Sequence, residues 1–453
     1  MPGEKKKRKT VLVISFWFPP TNAIGAVTVS KKAKYLPYYG WDPVILTVNE
    51  VKRGIPKTLA AEIEESRIVR TPYWGLADSI STRLVPEEKS TLQNSSRNQD
   101  KKYHIYNSLV TMFKPVYHLP LLKLFTTEPA GWYTYAVKKG LDMIRDYKVD
   151  AILSSYWPST SHLIAACLQK RTGIPWIAEY RDLWSLEPYY PKTQPFQSLE
   201  VWLEKLVMKR CSLMTTVSEP WAGQLKDIHR KRVEVITNGY DPEDYEKEEP
   251  TTAKFTITHT GHLQSWDEKQ IPQLFMAAAD LQREGRLSPD TFEIRFFGGD
   301  ISGSSSSFIP QLAKKYALEN LVSVHDYVPY QHSIKMQKES TVLFLSRSTD
   351  PVGGVGVFSA KIYEYLGAKR PIMAMALKGD VIDKFLKETG AGIVANEKEE
   401  IKSVLSTWVD EFERKGDISA YFNPDNEVIK QSTYRMQAEK LAALLDEITV
   451  SKP

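Results

Sequence analysis

VLVISFWFPPTNAIGAVTVSKKAKYLPYYGWDPVILTV, residues 11–48, reads as one strand–helix–strand unit. Residues 11–18 are an unbroken apolar run, β-branched and aromatic, the pattern of a strand covered on both faces. Pro19 and Pro20 end it, and a loop runs to Gly25. The spacing predicts a helix over 27–39, with Val29, Ala33, Leu36 and Tyr39 toward the core. Gly40 stops the helix, and 43–48 is a second buried strand. A strand, a helical crossover and a returning strand imply a parallel sheet. The expected fold class is therefore α/β and doubly wound.

The alternation returns downstream. Strands are predicted at 150–154, 175–179, 213–217 and 233–236, with helices at 159–171 and 199–210 and a stop at Gly173. Asn238-Gly239-Tyr240-Asp241-Pro242 breaks the pattern. A second series then places strands at 255–260, 292–297, 322–325, 342–346 and 371–376. Its helices are expected at 271–284, 306–316, 334–339, 360–366 and 381–388. The organisation read from this is an N-terminal Rossmann-like domain over 1–240, a charged linker over 241–254, a second, C-terminal Rossmann-like domain over 255–430, and a final helix over 431–453. That helix is amphipathic, with Met436, Leu441, Ala442, Leu444 and Leu445 available to pack back on the N-terminal domain. Ligands are expected at the carboxyl ends of strands, in a cleft that the two domains face. Residues 78–102 are polar and read as a mobile loop. Residues 105–125 are apolar and aromatic, with Lys114 and Lys123 interspersed.

A chain of 453 residues exceeds one ordinary core. Its 42% apolar and 25% charged content is that of a folded globular protein. Lys5, Lys6, Lys7, Arg8 and Lys9 account for the whole net charge of +5, and without them 55 basic residues face 55 acidic ones. A nucleic-acid partner is therefore not expected. The basic tail reads as a solvated terminus or, alternatively, as a contact to anionic lipid or nucleic acid. Cys167 and Cys211 alone make neither a disulfide framework nor a four-cysteine zinc site, which fits a reduced cytoplasmic setting. No apolar run approaches the ~18 residues of a membrane span. The KKKRK-TVLVISFWF start mimics a signal peptide, but its apolar part ends at Pro19-Pro20 and fits a buried first strand better. There is no H-E-x-x-H and no D-x-D, so no metal site is expected.

GVFSAKIYEYLGAKRPIMAM, residues 356–375, carries the chemistry. A Gly-rich loop brings bare backbone close to a ligand, and the following helix N-terminus suits phosphate. Lys361 in the first turn and Glu364 three residues on share a face. A cation for phosphate beside a carboxylate for paired hydroxyls is what a nucleotide-sugar site needs. The plain alternative is an amphipathic helix between loop and strand. The run resembles the donor-binding signature of the retaining glycosyltransferases of family 4, G-x-x-x-x-K-x-x-E-Y-L-A-x-G-[KR]-P. Gly356, Lys361, Glu364, Tyr365, Leu366, Gly367, Arg370 and Pro371 carry the match.

The resemblance runs from residue 10 to about residue 405. SFWFPPTNAIGAVTVSKKAKYLPYYGWDPVILT looks like the family's N-terminal segment. Glu179, Tyr180, Arg181, Asp182 and Trp184 stand where a bacterial and archaeal subgroup has D-F-R-D-P-W. TTVSEPWAGQLK, VITNGYDPEDY, THTGHL and DVIDKFLKETGAGIVA resemble further family segments, in the family's order. The resemblance implies a GT-B fold of two Rossmann-like domains. It also implies transfer of a sugar, with retention, from a UDP- or GDP-linked donor to a glycan or lipid-linked acceptor.

On the matching positions, Glu364 is expected at the donor ribose, Lys361 and Lys269 at the diphosphate, and Arg181 and Asp182 in catalysis or acceptor orientation. Gly25, Gly261, His262, Gly298, Gly356 and Val357 are expected to line the donor. Three departures stand out. His262 replaces a frequent Arg, Gly356 replaces a Glu that addresses the donor sugar, and a frequent catalytic His has no match. Each candidate also has a structural alternative: surface Lys, solvent-facing Glu, turn Gly, buried ion network. The competing functions are a GT-B nucleotide-sugar epimerase and a catalytically altered carbohydrate-binding or scaffold protein. A nicotinamide dehydrogenase is disfavoured because the first strand runs into Pro-Pro rather than G-x-G-x-x-G. The 105–125 segment reads equally as core or as a peripheral contact with an anionic membrane at its inner face.

Overall fold

The structure, a computed structural model, describes residues 8–49, 51, 57–75, 79–80, 105, 108, 130–186, 196–247, 252–264, 266–298, 308–351 and 355–450. The expected loop over 78–102 and the aromatic segment over 105–125 lie outside the described residues, apart from 79–80, 105 and 108. The chain divides into two compact units. Unit 1 comprises Met1–Asn238 with Tyr434–Pro453, and unit 2 comprises Gly239–Thr433.

In chain order, unit 1 contains β1 (Lys9–Ile14), α1 (Ile24–Tyr35), β2 (Trp41–Val48), β3 (Ile68–Thr71), α2 (Trp132–Tyr147), β4 (Ala151–Tyr156), α3 (Thr160–Thr172), β5 (Trp176–Tyr180), α4 (Phe196–Met208), β6 (Leu213–Thr216), α5 (Glu219–His229) and β7 (Val233–Val235). Unit 2 contains β8 (Phe255–Thr260), α6 (Asp267–Arg283), β9 (Phe292–Phe297), α7 (Phe308–Lys315), β10 (Val322–His325), α8 (Tyr330–Glu339), β11 (Val342–Ser346), α9 (Lys361–Ala368), β12 (Ile372–Met375), α10 (Val381–Thr389), β13 (Gly392–Val394), α11 (Lys398–Lys415) and α12 (Asn426–Gln431). The last helix, α13 (Tyr434–Val450), returns to unit 1.

Each unit is a parallel sheet. The order is β3-β2-β1-β4-β5-β6-β7 in unit 1 and β10-β9-β8-β11-β12-β13 in unit 2. Strand order therefore reverses between β1 and β4, and between β8 and β11, which marks the two topological switch points. The central strands are buried on both faces, and their side chains alternate between two cores. In unit 2, Val342 and Phe344 join one cluster while Leu343 and Leu345 join the other. In unit 1, Leu441, Ala442 and Leu445 of α13 pack into the core formed by Val11, Val13, Ile45 and Leu153. The fold is α/β with two Rossmann-like units, as the strand–helix alternation implies.

Local departures have local causes. β1 stops at Ile14 rather than reaching Phe18, because the Ser15 hydroxyl donates to the Trp17 carbonyl at 2.7 Å and the chain turns there. α1 begins at Ile24, before the expected start. It tightens into a 3₁₀ turn over Leu36–Tyr39, where Pro37 brings no N–H, and ends at Gly40 with φ +85°. Residues 242–245, inside the expected linker, form a 3₁₀ turn (Pro242–Tyr245) with Asp241 accepting from the Glu243 N–H at 3.1 Å. The Tyr245 hydroxyl donates to Gln337 at 3.2 Å, so this turn is docked on α8.

One buried ion pair crosses unit 1. The Lys32 ammonium donates to Glu179, both side chains being 4% exposed. Ser155 donates to the other Glu179 oxygen at 2.7 Å. Burial pushes the Glu179 carboxyl up, but the Lys32 charge and the two hydrogen bonds outweigh it and hold the group below the usual carboxylate range. A depressed folded pKa gives stability that is present above the unfolded value and lost as pH falls through the folded one. Lys32→Met should therefore cost about 3–5 kcal/mol at neutral pH by stranding a buried charge. The loss should shrink on acidification, once Glu179 is protonated in the variant. Urea unfolding at several pH values checks this, and a pH-independent loss would assign the cost to packing alone.

Candidate functional site

The residues of interest in unit 2 sit where the strand order reverses. Gly261 follows β8, Ser346 and Arg347 close and follow β11, and Gly298 follows β9. At these ends the sheet hands over to loops, so polar groups can emerge beside a doubly covered core.

Two glycines make the close approach possible. A Cβ on Gly298 would lie 2.8–3.0 Å from the Gly261 backbone, and the two residues have φ of +119° and +104°. A Cβ on Gly261 would lie 2.6 Å from Cε and 2.7 Å from Nζ of Lys361. The Lys361 side chain thus lies across the Gly261 backbone. Lys361 opens α9, whose N-cap, Ala360, supplies no side-chain acceptor, and Glu364 is the acid of its first turn. Gly367 completes the seating of this helix, because a Cβ there would lie 2.7 Å from Tyr240 and 2.9 Å from Tyr245.

Lys361 and Glu364 are both half-buried. Burial holds the Lys361 ammonium below its ordinary value, Glu364 pulls it back up, and the Arg347 charge depresses it further. Burial raises the Glu364 carboxyl, against the pull of Lys361 and a hydrogen bond from Gln337. That bond, Gln337 Nε2 to Glu364 Oε2, is 3.2 Å, and the same amide donates to Thr260 at 3.1 Å. Asp267, buried in the first turn of α6, accepts from the Gln264 N–H at 2.6 Å and from Ser346. Burial also raises the Asp267 carboxyl, and the charges of Lys361 and Arg347 oppose the rise. Arg347 lies 5.4 Å from the centre of the Trp266 ring. Two cations and two carboxylates therefore feel one another at the switch point.

The other expected donor residues are placed as follows. His262, next to Gly261, is exposed. Lys269 is exposed on the first turn of α6, and no contact among the described residues joins it to Lys361. Val357 is buried. Gly356 has φ +74°, and its N–H is held by Asp380 Oδ2 at 2.8 Å. The absent Glu is thus replaced where the backbone takes a conformation that suits glycine.

In unit 1, Arg181 follows β5. Its Nε donates to Ser155 at 2.9 Å, and its guanidinium lies so close to Gly25 that a Cβ there would be 2.7 Å from Nη2. Arg181 and Gly25 are therefore together, while Glu179 is committed to Lys32 and Ser155. Asp182 is half-buried and engaged. Trp184 is buried and stacks at 6.4 Å on Tyr156, so it packs in unit 1.

Sequence reasoning did not single out Arg347, Asp267, Gln337 or His162. His162 is fully buried, its Nδ1 is 2.7 Å from the Ser154 hydroxyl, and burial pushes its pKa down to about 3, so the ring is neutral. Only Arg347 left a usable trace, as the residue just past an expected strand.

Residues 95–244 match the family model Glycosyltransferase Family 4, a stretch that includes β4, β5 and β6. This supports a transferase. No curated protein matches the sequence. Among solved structures, a glycosyltransferase from Rickettsia africae aligns at 14% identity and TM-score 0.59, over 99% of this chain and 100% of that one. HepE of Anabaena, in complex with UDP and glucose, aligns at 14% identity and TM-score 0.59, over 97% of this chain and 100% of that one. A putative UDP-N-acetylglucosamine 2-epimerase from Listeria monocytogenes aligns at 10% identity and TM-score 0.51, over 98% of each chain. The fold is GT-B. Transferases and an epimerase share it, so the fold by itself does not choose between them.

The two glycine approaches give a paired expectation. Gly285 also has positive φ, at +73°, but nothing lies within 4 Å of a Cβ there. Gly285→Ala should cost about 1–2 kcal/mol for the left-handed backbone alone. Gly298→Ala should cost a further ~1–3 kcal/mol, because the Gly261 backbone must move. Urea unfolding of the two variants measures the difference, and equal losses would mean that β8 and β9 do not approach this closely.

Proposed function

We propose that the protein transfers a sugar from a nucleotide-sugar donor to a glycan or lipid-linked acceptor, with retention at the anomeric carbon. The observation that carries the donor assignment is the Lys361 side chain lying across Gly261, one helical turn from the Gln337-held carboxylate of Glu364. One carboxylate accepts two hydroxyl donors at once, which suits a ribose 2′,3′-diol. Lys361 and the N-terminus of α9 meet the diphosphate, whose charge grows as the sugar leaves. Arg347 joins them and supplies the second cation that His262 does not. This reading gives Lys269 a lesser part, since it is exposed on α6. No divalent metal is needed in the chemical step.

Retention follows from the family resemblance. On that basis the sugar passes an oxocarbenium-like state, and the departing diphosphate accepts the proton of the incoming hydroxyl on the same face. The protein's contribution is positioning and electrostatics. In unit 1, Arg181 beside Gly25, with Asp182, is assigned to orienting the acceptor. The HepE structure with UDP and glucose makes a UDP-sugar the first donor to test. The second reading, an epimerase, is motivated by the Listeria neighbour. It predicts donor conversion without any acceptor, whereas the family match over 95–244 favours transfer.

Glu364→Ala should weaken donor binding about thirtyfold, the loss of one charge-assisted contact of roughly 2 kcal/mol, while the protein stays folded. Unchanged affinity by titration calorimetry would remove Glu364 from the site. Donor affinity should also fall as pH drops through a pKa above the ordinary carboxylate range, because burial raises Glu364 and only the anion accepts both hydroxyls. Glu364→Gln should flatten that acidic limb.

Lys361→Met and Arg347→Met should depress turnover more than ground-state binding, and full activity should persist in EDTA. A strict requirement for a divalent ion at saturating donor would sink the electrostatic assignment. So would wild-type turnover in the Lys361 variant.

A further inference from the structure

Leu199, Trp202 and Leu206 of α4 are 43%, 59% and 56% exposed. Their spacing places them in one stripe along the helix. The helix's own carboxylates, Glu200 and Glu204, are turned inward and buried. Glu204 accepts from the Tyr180 hydroxyl at 2.9 Å and the Ser185 N–H at 3.0 Å, and lies 3.1 Å from His229 Nε2. The ordinary arrangement is reversed: acids inside, tryptophan and leucines outside. The other exposed residues on α4 and just past its end are Ser198, Lys205, Lys209 and Arg210, so α4 itself exposes no carboxylate, while α5, which also packs beside it, exposes Glu219 and Asp227. α3 packs beside α4, exposes Lys170 and Arg171 at its C-terminus and contains no acidic residue. The helix dipole explains cations near a C-terminus. It does not explain an outward Trp between leucines.

We propose that this face of α4 docks on an anionic lipid surface. Trp202 suits the headgroup level, Leu199 and Leu206 the acyl boundary, and Lys205, Lys209 and Arg210 the lipid phosphates. A second copy of the chain is the poorer occupant, because it would bring a second set of the same cations and no carboxylate from its own α4 stripe to pair them. The proposal does not depend on the transferase reading.

The test is sedimentation of the full chain with vesicles of phosphatidylcholine containing about one-third phosphatidylglycerol, at low salt, against phosphatidylcholine alone. The wild type should bind the anionic vesicles and release them as salt rises. Trp202→Gln with Leu206→Gln should weaken binding by about tenfold or more through lost apolar burial. Lys205→Gln with Lys209→Gln and Arg210→Gln should weaken it by about 100-fold, at roughly 1 kcal/mol per cation, and remove most of the salt dependence. Both variants change exposed residues, so their melting temperatures should stay at the wild-type value. No binding by the wild type would overturn the proposal, as would equal binding to both vesicle types or wild-type binding by both variants. A vesicle-free dimer that Trp202→Gln dissolves would overturn it in favour of self-association.

Discussion

A parallel strand covered on both faces can show polar groups only at its ends. This constraint shapes both units. Along β11 the side chains of Val342, Leu343, Phe344 and Leu345 are buried on alternating sides, and polarity begins at Ser346 and Arg347. β5 does the same in unit 1, where Trp176, Ile177 and Ala178 give way to Glu179 and Arg181. Reversal of strand order then leaves a gap between neighbouring crossovers, and the ends of β8 and β11 open into it. Lys361 reaches this place only because Gly261 presents no side chain to it. The clustering of Lys361, Arg347, Asp267 and Glu364 is thus a consequence of sheet topology and two bare backbones.

Buried charge in unit 1 is handled by pairing rather than by exposure. Lys32 with Glu179, and Glu204 with Tyr180, Ser185 and His229, each satisfy a carboxylate out of reach of water. Such networks contribute little net stability against an apolar alternative, but they fail badly when one member is lost. They also fix which residues remain available for a ligand. Glu179 is spent on holding α1 to β5, so the charge cluster legible at 179–182 separates into a structural member and its neighbours.

The fold was legible because period and punctuation agree. Apolar runs of strand length and helices of 3.6 spacing recur in both halves of the chain, and Gly40 and Gly173 stop helices in the first. What the sequence concealed was of two kinds. Lys31 and Lys32 look like the polar face of a helix, yet both are buried, because Glu62 and Glu179 wait for them across the fold. Partners separated by 147 residues leave no local pattern. Arg347 was hidden differently. Its place beside Gly261 depends on β11 pairing with β8, and strand order cannot be read from the strands themselves. Lys361 and Glu364, by contrast, stand on one helical turn, where spacing alone sets them on a common face. The sequence reading leaves α2, α5 and α11 unassigned; α2 and α5 border expected strands at 150–154, 213–217 and 233–236, so alternation by itself does not mark them.

The return of α13 to unit 1 makes unit 2 an insertion in the chain. Its two ends meet: the Tyr240 N–H donates to the Ser432 carbonyl at 3.1 Å, and Tyr240 bridges Thr433 in parallel. Unit 2 is therefore one continuous segment closed on itself, able to fold as soon as it has been synthesised. Unit 1 is not. Leu441, Ala442 and Leu445 fill its core, so its first 238 residues leave the ribosome with an apolar surface uncovered. The half of the protein made first is the half that must be completed last, and until then it depends on not aggregating.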